Sequence, residues 1–374
     1  MLALRLALGT HPLVQLRRLM VAAASAGVGF LLLCTLTYAL AHPTDSGAST
    51  LRLLWCAIPL ATTVYFAVAV ARTDPSTRPR TGLSAVGLGP ARMAVLAASS
   101  TAVSGTLGSM VALLFFLHLR GDLTGFPFDG AAAGLLAAEQ QLPLAGLLTL
   151  LALTPLAATT AVAVAMRPHR EPQQPSAPSA EPSGLPWGVA LMAAGLAAET
   201  YASSGPVDSP LSVPTGVLVS GALTTVGLAL AGPAITHLCG RLLQAFRPGP
   251  TRLLAGRALM EESRRIGRPL GVLCAVASAL LTASMLSTAT SQRPLGPLTG
   301  LGATLVIACT TATLLTAVLE SKHARAATTE ELLRLGTPSS MLHNAMALRM
   351  TTLLLVFAPL TWAISTLAAI PLTR

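Results

Sequence analysis

Long apolar segments separated by short polar ones dominate the chain. A helix needs about 20 apolar residues to cross a bilayer. Nine segments reach or approach that length: 19–40, 51–71, 93–118, 143–166, 186–204, 214–240, 269–287, 298–319 and 347–370. The pattern therefore predicts an all-α polytopic membrane protein with about nine transmembrane helices. The fifth segment is the weakest, because it is short and carries Glu199 near its end.

Two short segments predict helices just inside the membrane, each leading directly into a span. Residues 328–335 read TTEELLRL, in which Thr328 and Glu331 have the spacing of a capping box. Gly336 suits the position after the last turn. Residues 81–88 read TGLSAVGL and stop at Gly89. Such a helix can simply close a loop at the membrane surface, or it can receive force from a soluble partner.

Residues 251–265, TRLLAGRALMEESRR, predict an amphipathic helix that lies on the membrane surface and leads into a span. The residues expected to face lipid are Leu253, Leu254, Ala258 and Leu259, and those expected to face water are Arg257, Glu261, Glu262 and Arg265. Arg92 and Arg349, at the inner ends of spans, are expected to reach the headgroups.

The chain repeats this arrangement with an offset of about 247 residues. Arg5, Leu6, Arg17, Arg18 and Leu88-Gly89 in the first copy match Arg252, Leu253, Arg264, Arg265 and Leu335-Gly336 in the second. Internal repeats in membrane proteins often build pseudo-symmetric transporters. We therefore expect two pseudo-symmetric halves, with four spans in residues 1–166 and five in residues 186–374. Between them, the Pro/Ser-rich segment 167–185 predicts a disordered cytoplasmic linker.

Charge supports a membrane location and indicates an orientation. Charged residues make up 10% of the chain, against roughly 25% in soluble domains. With the N-terminus in the cytoplasm, 20 basic residues fall inside and 4 outside, as the positive-inside rule requires. An odd number of spans then places the C-terminus outside.

The longest outer loop, about 119–142, is too short for a large extracellular domain. The net charge of +10 is spread over many loops and aromatic residues are only 4%, which argues against nucleic-acid binding.

Catalytic, cofactor and metal motifs are absent from the sequence, including the GxxxxGK[ST] phosphate loop and HExxH. The five cysteines lie in apolar segments and are interpreted as small buried side chains. Glycines such as Gly105, Gly108, Gly216 and Gly221 are expected to permit close helix packing.

Glu199 is a candidate for substrate or ion handling, because acids within spans are often functional. It lies close enough to the outer end that its side chain can instead reach water.

Residues 227–271, GLALAGPAITHLCGRLLQAFRPGPTRLLAGRALMEESRRIGRPLG, resemble FtsX-like permeases of ABC transporters, the family of MacB-type and bacitracin-exporter-type subunits. LLRLGTPSSM, residues 332–341, resembles the cytoplasmic coupling helix of that family and the start of its next span. The chain departs from many relatives because no large extracellular domain fits it and its second half stops after three of the usual four repeat spans.

The resemblance implies a non-catalytic permease driven by two separate ATPase subunits, which would carry ATP and Mg²⁺ while this chain binds no cofactor directly. It also implies that the two short inner helices contact those ATPases. The docking residues would then be Leu83, Val86, Leu88, Gly89, Glu331, Leu332, Arg334, Leu335 and Gly336.

The leading hypothesis is a permease in a bacterial cell membrane that moves a lipid, a lipopeptide or an amphipathic antimicrobial peptide. Short outer loops favour a substrate that enters sideways from the bilayer. One alternative is a signal relay that passes ATPase motion to an extracellular hydrolase or a sensor kinase without transport. A second alternative is an ion-coupled secondary transporter, which the scarcity of charge within the spans disfavours.

Overall fold

The computed structural model describes residues 12–74, 90–123, 130–134, 136–167, 184–204, 212–245, 249–289 and 297–373. The regular secondary structure of these residues is entirely α-helical. The helices are α1 (Pro12–Ala41), α2 (Ser46–Thr73), α3 (Pro90–Arg120), α4 (Leu144–Ala165), α5 (Gly184–Ser204), α6 (Ser212–Gln244), α7 (Pro250–Ala289), α8 (Pro297–Ala324), α9 (Ala326–Arg334) and α10 (Ser339–Thr373).

Eight of these helices, α1 to α4, α6 to α8 and α10, are long and apolar enough to cross a membrane. The predicted multi-span helical membrane protein is therefore confirmed. The fifth predicted span forms α5, a helix of 21 residues that begins at Gly184. It is not among the eight that meet the length and hydropathy of a span, so the count of nine stays a prediction.

The prediction of a surface helix at 251–265 was wrong, because this segment is the first part of α7. The structure has no separate surface helix there: α7 runs for 40 residues, continuously through Pro269. Ala258 and Leu259 are buried inside the protein instead of facing lipid, and Glu262 is buried instead of facing water. The reason is that the C-terminal part of α6 packs along this segment, so its apolar face already has a protein partner.

The chain divides into two compact units, and the first comprises residues 1–170 and 295–309. Helix α1 packs against α2, α3 and α4, and Phe30, Leu33, Phe116 and Leu151 form part of the core. The predicted packing role of Gly108 is confirmed, because a Cβ there would collide with the backbone oxygen of Ala22. Gly105 similarly lies against Pro155. The start of α8 belongs to this unit, where Leu305 contacts Gly27.

The second unit comprises residues 171–294 and 310–374, and α6 packs between α5 and α7. Glycines let the backbones approach closely: a Cβ on Gly188 would lie 2.7 Å from the nitrogen of Ala231, and one on Gly267 would lie 2.5 Å from Cα of Pro233. The prediction for Gly221 was wrong, since nothing lies within 4 Å of its Cβ position. Helix α10 packs on α7, where Phe357 and Ile364 join the core around Leu259.

Candidate functional site: a short exposed helix held by a buried carboxylate

Helix α9 is the short helix expected just before the last span. The predicted range was 328–335, and the helix runs from Ala326 to Arg334. The predicted capping box was wrong: the N-cap is Arg325, without a side-chain cap, and the Thr328 hydroxyl donates a hydrogen bond to the Arg325 carbonyl oxygen at 3.0 Å. Arg325 already has helical backbone angles, so α9 begins almost directly where α8 ends and Thr328 lies inside its first turn.

The end of α9 agrees with the sequence. Gly336 has a φ of +86°, in the left-handed region where glycine avoids the strain that a Cβ would cause. Its N–H donates to the carbonyl oxygen of Leu333 at 3.0 Å, and the N–H of Leu335 donates to that of Glu331 at 3.0 Å. Helix α10 then begins at Ser339. The backbone geometry at Gly336 therefore ends α9, and a short connection leads from it into α10.

The described docking candidates on α9 are accessible. Glu331, Arg334, Leu335 and Gly336 are exposed, and at 82% Leu335 is the most exposed large apolar side chain among the described residues. Arg334 pairs with Glu330 at 2.7 Å one turn away, a surface interaction of roughly 0.3–0.5 kcal/mol. The backbone of Leu332 lies in α9, while its side chain is outside the described residues. Charged side chains and the apolar Leu335 are thus exposed on this helix and at its C-cap.

A buried ion-pair cluster anchors the start of α9. Glu262, on α7, is 6% exposed, and each of its carboxylate oxygens has a different partner. Oε1 pairs with Nε of Arg325, and Oε2 pairs with Nη2 of Arg349 on α10. Arg325 also donates to the backbone oxygen of Ala258 on α7, at 2.7 Å. One carboxylate therefore connects α7, the α8–α9 junction and α10, and we call these three side chains the Glu262 cluster.

The electrostatics of the Glu262 cluster depend on its single acid. Burial, and then the positive charge of Arg349, lower the pKa of the Arg325 guanidinium, while Glu262 and the neighbouring Glu261 raise it. An arginine side chain in a protein is in practice always protonated, so the guanidinium is positively charged. Glu262 consequently balances two cations in a site largely shielded from water.

Sequence reasoning missed this cluster. It expected Glu262 to face water and Arg349 to reach the headgroups, whereas the two are hydrogen-bonded across 87 residues of chain. One signal was available: Ala255, Leu259, Glu262 and Ile266 have the spacing of a single helix face, and all four are buried. That spacing places Glu262 on the packed face of α7.

The first unit has a simpler ion pair between the start of α1 and the end of α2. Arg18 pairs with Asp74 at 2.7 Å, and the neighbouring Arg17 donates to the Thr73 hydroxyl at 3.2 Å. Asp74 is 6% exposed. The predicted first docking helix, 81–88, with its candidates Leu83, Val86, Leu88 and Gly89, lies outside the described residues.

Glu199, the candidate for substrate or ion handling, is buried near the end of α5. Within the described part of the chain, no group of three or more His, Cys, Asp or Glu side chains could hold a metal ion. All five cysteines are buried and free, in agreement with their interpretation as small core residues.

Comparisons of the chain with known protein families, with curated proteins and with solved structures find no match.

Proposed function

We propose that this chain is the permease subunit of an ATP-driven transporter of the FtsX-like ABC type, and that α9 is a coupling helix contacted by an ATPase subunit. The observation that carries the proposal is the anchoring of α9. A short exposed helix between two spans is a suitable docking element only if its displacement is transmitted. The Glu262 cluster supplies that connection.

The connection has two parts. At its start, α9 follows Arg325, which pairs with Glu262 on α7. At its end, α9 leads through Gly336 into α10, and Arg349 of α10 pairs with the same carboxylate. A push on α9 would therefore displace α7 and α10 together, instead of being absorbed by a loose loop.

The ion pairs of the two units support pseudo-symmetric halves. With the 247-residue offset, Arg18 matches Arg265 and Asp74 matches Ser321, each about one helical turn from Glu262 or Arg325. In each copy, therefore, an ion pair joins the first part of one long helix to the end of the next. The arginine is on the first helix in the first copy (Arg18), whereas the acid is on the first helix in the second copy (Glu262). By this parallel, the first half supplies a second contact for an ATPase, and two ATPase subunits, carrying ATP and Mg²⁺, bind one permease chain.

The transported substrate in this proposal is a lipid, a lipopeptide or an amphipathic antimicrobial peptide, because such molecules can enter sideways from the bilayer. The membrane is a bacterial cell membrane, and the N-terminus is cytoplasmic by the distribution of basic residues.

Co-purification with an ATPase tests the proposal. The tagged chain should bring down a P-loop ATPase when it is isolated from its own cells in mild detergent. Leu335→Asp should lower the ATPase recovered by about 30-fold, the effect of losing one interface anchor of about 2 kcal/mol. Leu144→Asp is the matched control, since Leu144 is 73% exposed and begins α4, where an acid is favourable.

Failure to recover any ATPase, or equal losses in the two variants, would contradict the docking role of α9. Transport in liposomes that contain the chain and its ATPase then separates a transporter from a signal relay. A relay would hydrolyse ATP without moving lipid or peptide.

The burial of Glu199 favours a second candidate, an ion-coupled transporter. That function predicts transport driven by an ion gradient in liposomes without any ATPase, and its loss in Glu199→Gln. Gradient-driven transport that persists in Glu199→Gln would remove this carboxylate from consideration.

A further inference from the structure

A groove of about 490 Å³ runs between α3 and α4 in the first unit. Its lining includes Ala94, Ala98 and Ala102 of α3, Thr159 and Ala163 of α4, and Arg167 just beyond α4. Four of these are alanines, and the residues of each helix recur every four positions, so they share one face. Small side chains on facing stripes leave open space between the two helices.

The walls of the groove suit hydrocarbon. Its two hydroxyl-bearing side chains are already bonded to their own helices: Ser99 donates to the carbonyl oxygen of Leu96 at 2.9 Å, and Thr159 donates to that of Pro155 at 2.5 Å. Their donors therefore need no partner in the groove. The remaining walls are apolar apart from Arg167, and the groove volume is within the range of ligand sites.

The end of the groove is strongly basic. Arg167 lines the groove and its side chain is exposed. The ends of α1 to α4 on this side also carry Arg17, Arg18, Arg72 and Arg92. Among the described residues at these ends, Asp74 is the sole acid, and it pairs with Arg18. An apolar groove between spans that opens beside such an excess of arginine complements a molecule with a hydrocarbon chain and a negative headgroup.

We propose that this groove binds an anionic phospholipid, with an acyl chain between α3 and α4 and the headgroup phosphate held by Arg167. Basic pockets between transmembrane helices bind anionic headgroups through the same charge attraction. The groove would bind lipid in this way whether or not the chain is a permease.

Native mass spectrometry of the purified full chain in a neutral detergent tests the site. Phosphatidylglycerol and phosphatidylcholine with identical acyl chains are the two probes. Phosphatidylglycerol should bind several-fold more tightly, and Arg167→Gln should weaken its binding about five-fold, the effect of one basic residue. Ala98→Phe, which fills the groove, should weaken the binding of both lipids.

Matched controls separate the groove from general charge and bulk. Arg265→Gln removes an exposed arginine from α7 in the second unit, and Val103→Phe enlarges a side chain of α3 that is 59% exposed. Both should bind phosphatidylglycerol as the unchanged chain does, and thermal unfolding should show that all four variants are folded.

Three results would overturn the site. They are equal affinity for the two lipids, an equal loss of binding in Arg265→Gln and Arg167→Gln, or crosslinking of an Ala102→Cys variant to a second copy of the chain. The last result would make the groove a protein interface.

Discussion

At the scale of single residues, Glu262 is the most constrained side chain of the candidate site. A buried carboxylate loses its hydration, and this loss is offset only when its oxygens are fully bonded. Two guanidinium groups satisfy this need well, because each is a planar, permanently charged donor. The arrangement is asymmetric, however, since removal of the one acid takes away the carboxylate that pairs with both arginines.

We therefore predict that Glu262→Gln lowers the free energy of unfolding by about 3 kcal/mol, the size expected when one partner of a buried ion pair is removed. Chemical unfolding in detergent micelles measures the change. Glu261→Gln is the control, because Glu261 is exposed at the preceding position of α7, and it should change stability by less than about 0.5 kcal/mol. Equal effects of the two substitutions would show that burial of Glu262 does not matter for stability.

At the scale of elements, the contact between α6 and α7 determines where the Glu262 cluster forms. Glycines on both helices remove the Cβ atoms that would keep the backbones apart, as at Gly240 and Gly256, where an added Cβ would lie 2.7–2.8 Å from the facing backbone oxygen. The first turns of α7 are thereby held along α6, and Leu259 and Glu262 become interior positions. The same packing explains why α7 continues through Pro269, since neighbouring helices stabilise a proline-containing helix in a membrane protein.

Two glycine-to-alanine substitutions should consequently change the free energy of unfolding in opposite directions. Gly267→Ala would place a Cβ 2.5 Å from Cα of Pro233, so we expect it to lower the free energy of unfolding by about 1–3 kcal/mol. Gly221→Ala adds a methyl group to open space in α6 and should raise that free energy by about 0.5–1 kcal/mol. Unfolding in detergent micelles compares the two, and a stabilising Gly267→Ala would contradict the close approach of α6 and α7.

At the scale of the whole molecule, long apolar helices and basic ends define a multi-pass membrane protein. Eight helices meet the requirements for a span, and the arginines cluster in alternate connections. The predicted topology places residue 328 in the cytoplasm and residue 139 outside. Whether α5 crosses the bilayer decides the side of every later segment, so it decides the side on which both α9 and the C-terminus lie.

Cysteine labelling in intact cells tests this topology. All five native cysteines are buried, so they should react slowly with a maleimide that does not cross membranes. Positions 139 and 328 are both exposed, so a cysteine at either can react once the reagent reaches it. The cysteine of Glu139→Cys should react at once, and that of Thr328→Cys only after the membrane is opened. The reverse pattern would invert the orientation, and immediate reaction at both positions would mean that α5 does not cross and that α9 is not cytoplasmic. Labelling of the unchanged chain is the control.

Features that depend on a short stretch of chain were predictable from the sequence. The spans follow from apolar length, because a bilayer demands about 20 apolar residues wherever they occur. The stop at Gly336 follows from backbone sterics, which need no distant partner. The start of α9 was predicted less well. Thr328 was expected to cap the helix, but the N-cap is Arg325 and Thr328 already lies in the first turn.

The sequence by itself therefore determined that this is an all-helical, multi-span membrane protein with a short exposed helix before its last span. Only the tertiary structure decided that Glu262 is buried and that Arg325 and Arg349 share it. The physical reason is that the environment of a charged side chain depends on which helices pack around it. Here the packing of α10 on α7 brought together groups that are 87 residues apart in the chain.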